Sequence, residues 1–268
     1  MDIQEQKKLA KLAIEASYYA GLEIMKIYAN DFDVEIKADN SPLTLADKNA
    51  NDVITGFLEK TDLPILSEEG REMSFDERKD WEYYWNVDPL DGTKEFVKRN
   101  GNFTVNIALM YKSIPIFGII YIPVSDDLYF GGADIGSFKH EGFSSKKDWS
   151  YDDMADQKNK LPNQELPTKY TIAASSSHLS KETQEHIQEL ENNNGDIELI
   201  SRGSSLKICL VAEGAVHEYP RFAPTMEWDI AAGHGIILGV GKDIIDHSTN
   251  KSIQYNKENL LNNWFTVK

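Results

Sequence analysis

The chain carries a single cysteine, Cys209, so no intramolecular disulfide can brace it. Set in LKICLVAEG, that thiol reads as a small buried hydrophobe rather than a nucleophile, which agrees with a reducing compartment. Basic residues are scarce. The 28 Lys and Arg face 44 Asp and Glu, a formal charge of −16. Such a surface excludes general electrostatic binding of a nucleic-acid polymer or a strong interaction with an anionic membrane, since both need a basic face. It does not exclude small anions, because clustered carboxylates can hold divalent cations that invert the local potential. Long apolar runs are missing too. None approaches the roughly 20 residues that span a bilayer, and MDIQEQKKLAKLAIEA places charges where a signal peptide needs an apolar core. The expected location is the cytoplasm, either free or loosely associated with the inner face of the cell membrane.

What is present is apolar material for one large domain or two packed halves: 41% of 268 residues are hydrophobic, ordinary for a folded globular protein. Residues 4–28 place Leu9, Leu12, Ala13, Ala16, Ala20, Ile24 and Ile27 at helical spacing. A second helix follows SPLT, with Thr44 as its cap and Asp47 in its first turn. The run FTVNIALMYKSIPIFGIIYIPV predicts two antiparallel strands joined at Lys112-Ser113, and another strand begins at Tyr129. Residues 144–167 turn polar and read as a surface excursion or a boundary between halves. Beyond it, strands at 170–174, 197–200 and near Val216 alternate with helices at 180–191, 204–212 and 229–238. Periodicity alone supports mixed α and β. We expect an N-terminal half, 1–165, and a smaller C-terminal α/β half, 166–268.

Four acidic segments stand where one element gives way to another: Asp47, Glu68-Glu69, DPLDGT at 88–93, and Asp229. Each has a plain structural alternative. Glu68 and Glu69 suit an exposed loop, Asp91-Gly92 a turn, Asp229 a helix cap, and Asp47 a first-turn acid facing the helix dipole. DPLDGT is harder to read as ordinary. An apolar run ending in Asp88 implies a carboxylate at a buried strand end, and Asp91 follows across a tight turn. Asp88, the Leu90 carbonyl and Asp91 can converge on a hard cation such as Mg²⁺. Gly92 and Thr93 then open a helix whose free N–H groups, with Lys94 beside them, suit a phosphate.

DPLDGT together with WDIAAGHGII resembles the paired signatures of the inositol monophosphatase-like superfamily, lithium-sensitive phosphatases that use Mg²⁺. The likeness covers nearly the whole chain. KADNSPLTLAD, LSEEG, DPLDGTKEFVKRNGNFTVNIAL, GSSLKICLVAEG and YPRFAPTMEWD are similar to its CysQ-type branch, the bacterial 3′(2′),5′-bisphosphate nucleotidases. The resemblance implies a layered α+β and α/β sandwich, with a mainly antiparallel sheet in the first half. It implies two or three Mg²⁺ ions held by Glu68, Asp88, the Leu90 carbonyl, Asp91 and Asp229, inhibition by Li⁺, and a monomer or weak homodimer. It also implies that Asp47 and Thr93 orient and deprotonate a water, with Glu69 acting through water.

The implied substrate is a small nucleotide with a 3′-phosphate to remove and a 5′-phosphate to recognise. Gly203-Ser204-Ser205-Leu206-Lys207 gathers hydroxyls, a helix start and a cation that suit a second phosphate. Serines before a helix are also ordinary caps. Arg221 offers either a phosphate fork or a surface charge, and His178, after Ser175-Ser176-Ser177, either a polar contact or none. His234 reads as a satisfied core histidine, not a ligand. Two other functions stay open: an inositol or sugar phosphate phosphatase with the same ligands, and a non-catalytic sensor of nucleotide or metal.

Overall fold

The structure is a computed structural model that describes residues 1–29, 34–36, 42–145, 149–174 and 180–268. Helix α1 (Ile3–Tyr28) buries Leu9, Ala13, Ile14, Ala20 and Ile24 along one stripe, and Asp2 caps it by accepting from the Gln4 and Glu5 amides. A short antiparallel pair, β1 (Val34–Ile36) and β2 (Pro42–Thr44), leads into α2 (Leu45–Leu58), which packs beside α1.

Both helices cover one face of a six-stranded sheet: β3 (Ile65–Ser67), β4 (Tyr83–Asp91), β5 (Thr104–Tyr111), β6 (Ile114–Ile122), β7 (Asp127–Gly132) and β8 (Gly136–His140), in that order. Only β3 and β4 pair in parallel. Their connection carries α3 (Phe75–Arg78). The expected Lys112-Ser113 hairpin joins β5 to β6.

The opposite face takes α8 (Glu227–Gly239), apolar around most of its circumference and buried along its length. It touches β6 backbone to backbone. A Cβ added at Gly118 would stand 1.8 Å from the Ala232 carbonyl oxygen, and one at Gly235 would meet the Gly118 nitrogen at 2.7 Å. Helix α7 (Leu206–Glu213) lies beside α8, and Ile208 fills the space over Gly233. Beyond these helices sit a parallel pair, β9 (Thr171–Ala174) with β10 (Glu198–Ser201), and an antiparallel sheet ordered β11 (Tyr219–Arg221), β14 (Phe265–Val267), β12 (Ile244–Asp246), β13 (Lys251–Ser252). Helix α6 (Lys181–Asn194) runs on the outside with no buried residue. The result is a layered α/β sandwich with two apolar clusters, one on each face of the large sheet.

Several expectations need correction. The strand placed near Val216 lies at Tyr219–Arg221, and the C-terminal strands β12, β13 and β14 were not anticipated because each is only two or three residues long. The 144–167 segment is not merely a surface excursion. Within it α5 (Tyr151–Met154) buries Tyr151 and Met154 against α1, Leu161 is 2% exposed, and Lys160 bridges Phe138 on β8. A few apolar side chains suffice to anchor an otherwise polar stretch. Cys209 is buried, as its apolar setting implies.

Candidate active site

Strand β4 builds the centre of the site. Tyr84, Asn86 and Asp88 share the face that looks toward α8, and Asp88 is 1% exposed. The β4–β5 register shifts between Asp88 and Asp91, a bulge at the place where both carboxylates are needed. Asp88 accepts from the Leu90 amide at 3.0 Å, closing an Asx turn. Gly92 follows at φ 95°, a conformation that suits glycine, and starts the short helix α4 (Thr93–Val97). The Thr93 hydroxyl lies 3.4 Å from both an Asp47 carboxylate oxygen and the Leu90 carbonyl. Asp47 is 1% exposed in the first turn of α2.

Glu68 enters from the end of β3, its amide donating to the Val87 carbonyl at 3.1 Å. Asp229 enters from the first turn of α8, where one oxygen accepts from the Met226 amide at 2.8 Å. Carboxylate oxygens of Glu68, Asp88 and Asp229 lie within 4.8 Å of one another, the one such group among the described residues. Burial, and then the charges of Glu68, Asp91, Asp229 and Asp47, push the Asp88 carboxyl well above its ordinary range. Burial, followed by Asp91, raises Asp229 to about 8. Like charges so packed need a counterion. The donors are all hard oxygens, with no His or Cys, and fit Mg²⁺ or Mn²⁺ rather than a soft metal.

Asp91 is held differently. It accepts from the Ser205 amide at 2.7 Å, from the Ser204 hydroxyl, and from Asn106 at 3.4 Å. Thr104 joins this lattice, its hydroxyl 2.7 Å from that of Ser204 and 2.9 Å from that of Ser205. The DPLDGT turn and the start of α7 are thus bonded directly, with Ser204 held at φ 52°.

Beside the carboxylates opens a cavity of about 210 Å³, lined by Asp91, Gly92, Ser204, Ser205 and Asp229 and by two basic side chains, Lys207 and Arg221. Lys207 is 4% exposed, donates to the Arg202 and Ser204 carbonyls at 3.0 and 2.8 Å, and rests 5.2 Å over the Tyr219 ring. Burial pulls it down to about 8, against the opposing effect of Asp91. Of its three donors, two serve the loop and one remains for a ligand. Arg221 donates to the Pro224 carbonyl at 3.3 Å and also lines the cavity.

The family model for inositol monophosphatases matches residues 5–265. The chain belongs to the inositol monophosphatase family. A curated relative in Escherichia coli (strain K12), the 3′(2′),5′-bisphosphate nucleotidase CysQ, is 41% identical over 253 residues, covering 92% of this chain and 94% of its own. The crystal structure of CysQ from Bacteroides thetaiotaomicron, a bacterial member of the family, superposes with a TM-score of 0.90 at 45% identity, covering 98% of this chain and 97% of that one. An inositol monophosphatase from Zymomonas mobilis shares the fold at TM-score 0.73 and 21% identity, covering 100% and 94% of the two chains. As a member of this family the chain is a phosphatase.

For an inositol monophosphatase family member, most expected site residues come together: Glu68, Asp88 and Asp229 form the carboxylate group, Asp47 and Asp91 lie near enough for their charges to act on Asp88, Thr93 reaches Asp47 and the Leu90 carbonyl, and Gly92, Ser204, Ser205, Lys207 and Arg221 line the adjoining cavity with Asp91 and Asp229. Two do not. Lys94 is exposed and is not part of the cavity wall, because the turn into α4 rotates it outward. Glu69 stands next to Glu68 but outside the three-carboxylate group. His178, with Ser175 to Ser177, lies outside the described residues. His234 is fully buried between Tyr255 at 3.0 Å and Asp243 at 2.8 Å, a satisfied core histidine. Sequence reasoning missed Glu95, Arg202, Tyr219 and Thr225 on the cavity wall, and Thr104 and Asn106 beneath it. Polar Thr104 and Asn106, two apart in the apolar run of β5, were the available signal.

Proposed function

We propose that this phosphatase is a Mg²⁺-dependent 3′(2′),5′-bisphosphate nucleotidase, taking adenosine 3′,5′-bisphosphate to AMP and phosphate, and acting also on its 5′-phosphosulfate form. The observation that carries the reading is the pairing of a three-carboxylate centre with an adjoining cavity that Lys207 and Arg221 line together with Asp91 and Asp229. The names of the E. coli and B. thetaiotaomicron relatives support it. One anionic group would be drawn to cations at the carboxylates, and a second to the basic pair. A monophosphate gives the second contact nothing to hold.

In this reading Glu68, Asp88, Asp229, the Leu90 carbonyl and Asp91 through its other oxygen hold two or three Mg²⁺. Bound there, Mg²⁺ supplies positive charge for the phosphate and lowers the pKa of a water. Asp47, linked to Thr93, would accept a proton at its carboxylate from the attacking water and orient that water toward phosphorus. Gly92 leaves room for the phosphate at the start of α4, a close approach that a side chain would obstruct. Lys207, Arg221 and the serine hydroxyls grip the 5′-phosphate, and Glu69 acts on the centre through water. His178 is assigned to the nucleoside side of the substrate. We assign the protein to the cytoplasm as a monomer or weak homodimer, with Li⁺ competing for one Mg²⁺ position. No helix among the described residues is long and apolar enough to cross a membrane.

The test is Mg²⁺-dependent phosphate release from adenosine 3′,5′-bisphosphate, its phosphosulfate, inositol 1-phosphate and fructose 1,6-bisphosphate at matched low concentration. Preference for the nucleotides supports the proposal. Faster release from inositol 1-phosphate would keep the carboxylate centre and overturn the assignment of Ser204, Lys207 and Arg221.

A further inference from the structure

Glu227, two residues before Asp229, is fully buried and takes no part in the chemistry above. Both of its oxygens are spoken for by the segment that follows β13. One accepts from the Asn256 amide at 2.7 Å, and the other from the Lys257 amide at 3.0 Å and the Lys257 ammonium at 2.6 Å. The Lys257 ammonium also donates to the Asn262 side-chain oxygen at 3.2 Å. Asn262 in turn donates to the Met226 carbonyl at 2.7 Å, and the Met226 amide donates to the Asp229 carboxylate at 2.8 Å. Charge-assisted and amide hydrogen bonds therefore run from a buried carboxylate, through Lys257 and Asn262, to the Met226 carbonyl, and the amide of that same residue, in the preceding peptide group, bonds one oxygen of a carboxylate at the centre.

The far end of this chain is anchored in the first half of the protein. Arg78, 2% exposed, donates to the Asn256 side-chain oxygen at 2.8 Å and to the Glu258 carbonyl at 2.9 Å, while the Asn256 amide group donates back to the Arg78 carbonyl at 2.7 Å. The Glu227 amide donates to the Leu260 carbonyl, and the Asn262 amide to that of Thr225. Residues 254–262 thus form a strut between α3 and the first turn of α8. Both peptide groups flanking Met226 are fixed by it or by Asp229 itself.

We propose that Glu227, Lys257 and Asn262 are positioning residues: their relay fixes the Asp229 carboxylate against Glu68 and Asp88 and so sets the affinity for divalent metal. The inference rests on the assignment of Asp229 as a ligand. Groups that orient a ligand from behind typically change metal affinity by about 10- to 100-fold when removed. Packing alone predicts something else, a loss of stability with metal affinity untouched.

Lys257 is the residue to change, because its side chain is 29% exposed and its removal leaves Glu227 two backbone donors. The experiment is a Mn²⁺ titration of the whole protein followed by EPR of the free ion, with thermal unfolding in EDTA as the control on folding. For Lys257→Met we expect a cooperative unfolding transition and a Mn²⁺ Kd raised about tenfold or more. Lys257→Arg, which can still bridge Glu227 and Asn262, should restore most of that loss. Asn262→Leu, which cuts the relay one step nearer Asp229, should weaken Mn²⁺ binding as Lys257→Met does. A Kd equal to wild type in both Lys257→Met and Asn262→Leu would overturn the relay while leaving the nucleotidase reading intact. A wild-type protein that binds no Mn²⁺ would overturn both.

Discussion

Replacing Gly118 with alanine adds one methyl group at the point where strand β6 and helix α8 touch through their backbones. That methyl would lie 1.8 Å from the Ala232 carbonyl oxygen. An ordinary C···O contact is about 3.3 Å, so the helix and strand must part by more than an ångström, or the helix must tilt. Ala232 lies one residue short of a full turn beyond Asp229, and the helix is a rigid rod over that distance. The displacement therefore reaches the Asp229 carboxylate. Overpacking of this kind costs ~1–3 kcal/mol, and misplacing a reacting group by an ångström costs ~100-fold in rate. We expect Gly118→Ala to lower Tm by several degrees, to reduce kcat/KM for adenosine 3′,5′-bisphosphate by about 100-fold, and to raise the Mg²⁺ needed for half-maximal rate. The assay is phosphate release across a Mg²⁺ series, with thermal unfolding alongside. The control is Gly56→Ala in α2, where an added Cβ meets nothing within 4 Å; it should stabilise by ~0.5–1 kcal/mol and leave activity alone. If Gly118→Ala unfolds with the wild-type Tm and turns over at the wild-type rate, the helix does not depend on that backbone contact and the reasoning fails.

Metal removal should expose the strain among the carboxylates. A carboxyl raised on folding binds protons more readily in the folded state, so its contribution favours folding at low pH and is lost as pH rises through the folded value. For Asp229, raised from 3.8 to about 8, the full penalty above pH 8 is on the order of 6 kcal/mol at ~1.4 kcal/mol per unit. In EDTA, Tm should fall between about pH 4 and 8 and level off above that, and excess Mg²⁺ should flatten that decline; a flat profile in EDTA would refute the crowding. Asp88→Asn removes one of the buried charges, so it should raise Tm in EDTA while lowering phosphate release at least 100-fold; a drop in Tm would show that Asp88 is not strained. Lys207→Met should raise KM for adenosine 3′,5′-bisphosphate by ~10–100-fold, the worth of one charged hydrogen bond, and leave inositol 1-phosphate turnover unchanged. Equal losses on both substrates would remove Lys207 from 5′-phosphate recognition.

The legible parts of the site are those that chemistry compresses into a few neighbouring residues. DPLDGT could be singled out because two carboxylates and a turn glycine follow an apolar run within a few residues, and α1 because its apolar stripe repeats over about five turns. The meeting of Glu68 with Asp229 could not be read from spacing. It depends on a parallel β3–β4 pair and on two glycines letting α8 approach β6, and came only from likeness to a family. Lys94 was misplaced because the direction of a side chain after a left-handed glycine is set by a dihedral angle, not by adjacency. The Glu227 relay was invisible for a related reason: Lys257 and Asn262 sit in a polar stretch whose composition matches any solvated loop, and only the fold brings them behind Asp229. Short strands β12 to β14 carry too few residues for alternation to register.

The polar stretch that folds across β8 also bears on solubility. A six-stranded sheet ends in two rows of unsatisfied backbone groups, each an invitation to pair with another chain. On one side β3 is only three residues long, a short template. On the other, Lys160 bridges Phe138, the Leu161 amide donates to the Ser137 carbonyl at 2.7 Å, and His140 bonds the Met154 carbonyl at 2.7 Å, so the rim of β8 is occupied from within the chain. Far from the carboxylates, this stretch guards an edge. A variant with it excised would keep every residue of the catalytic centre and lose its protection against strand-to-strand aggregation.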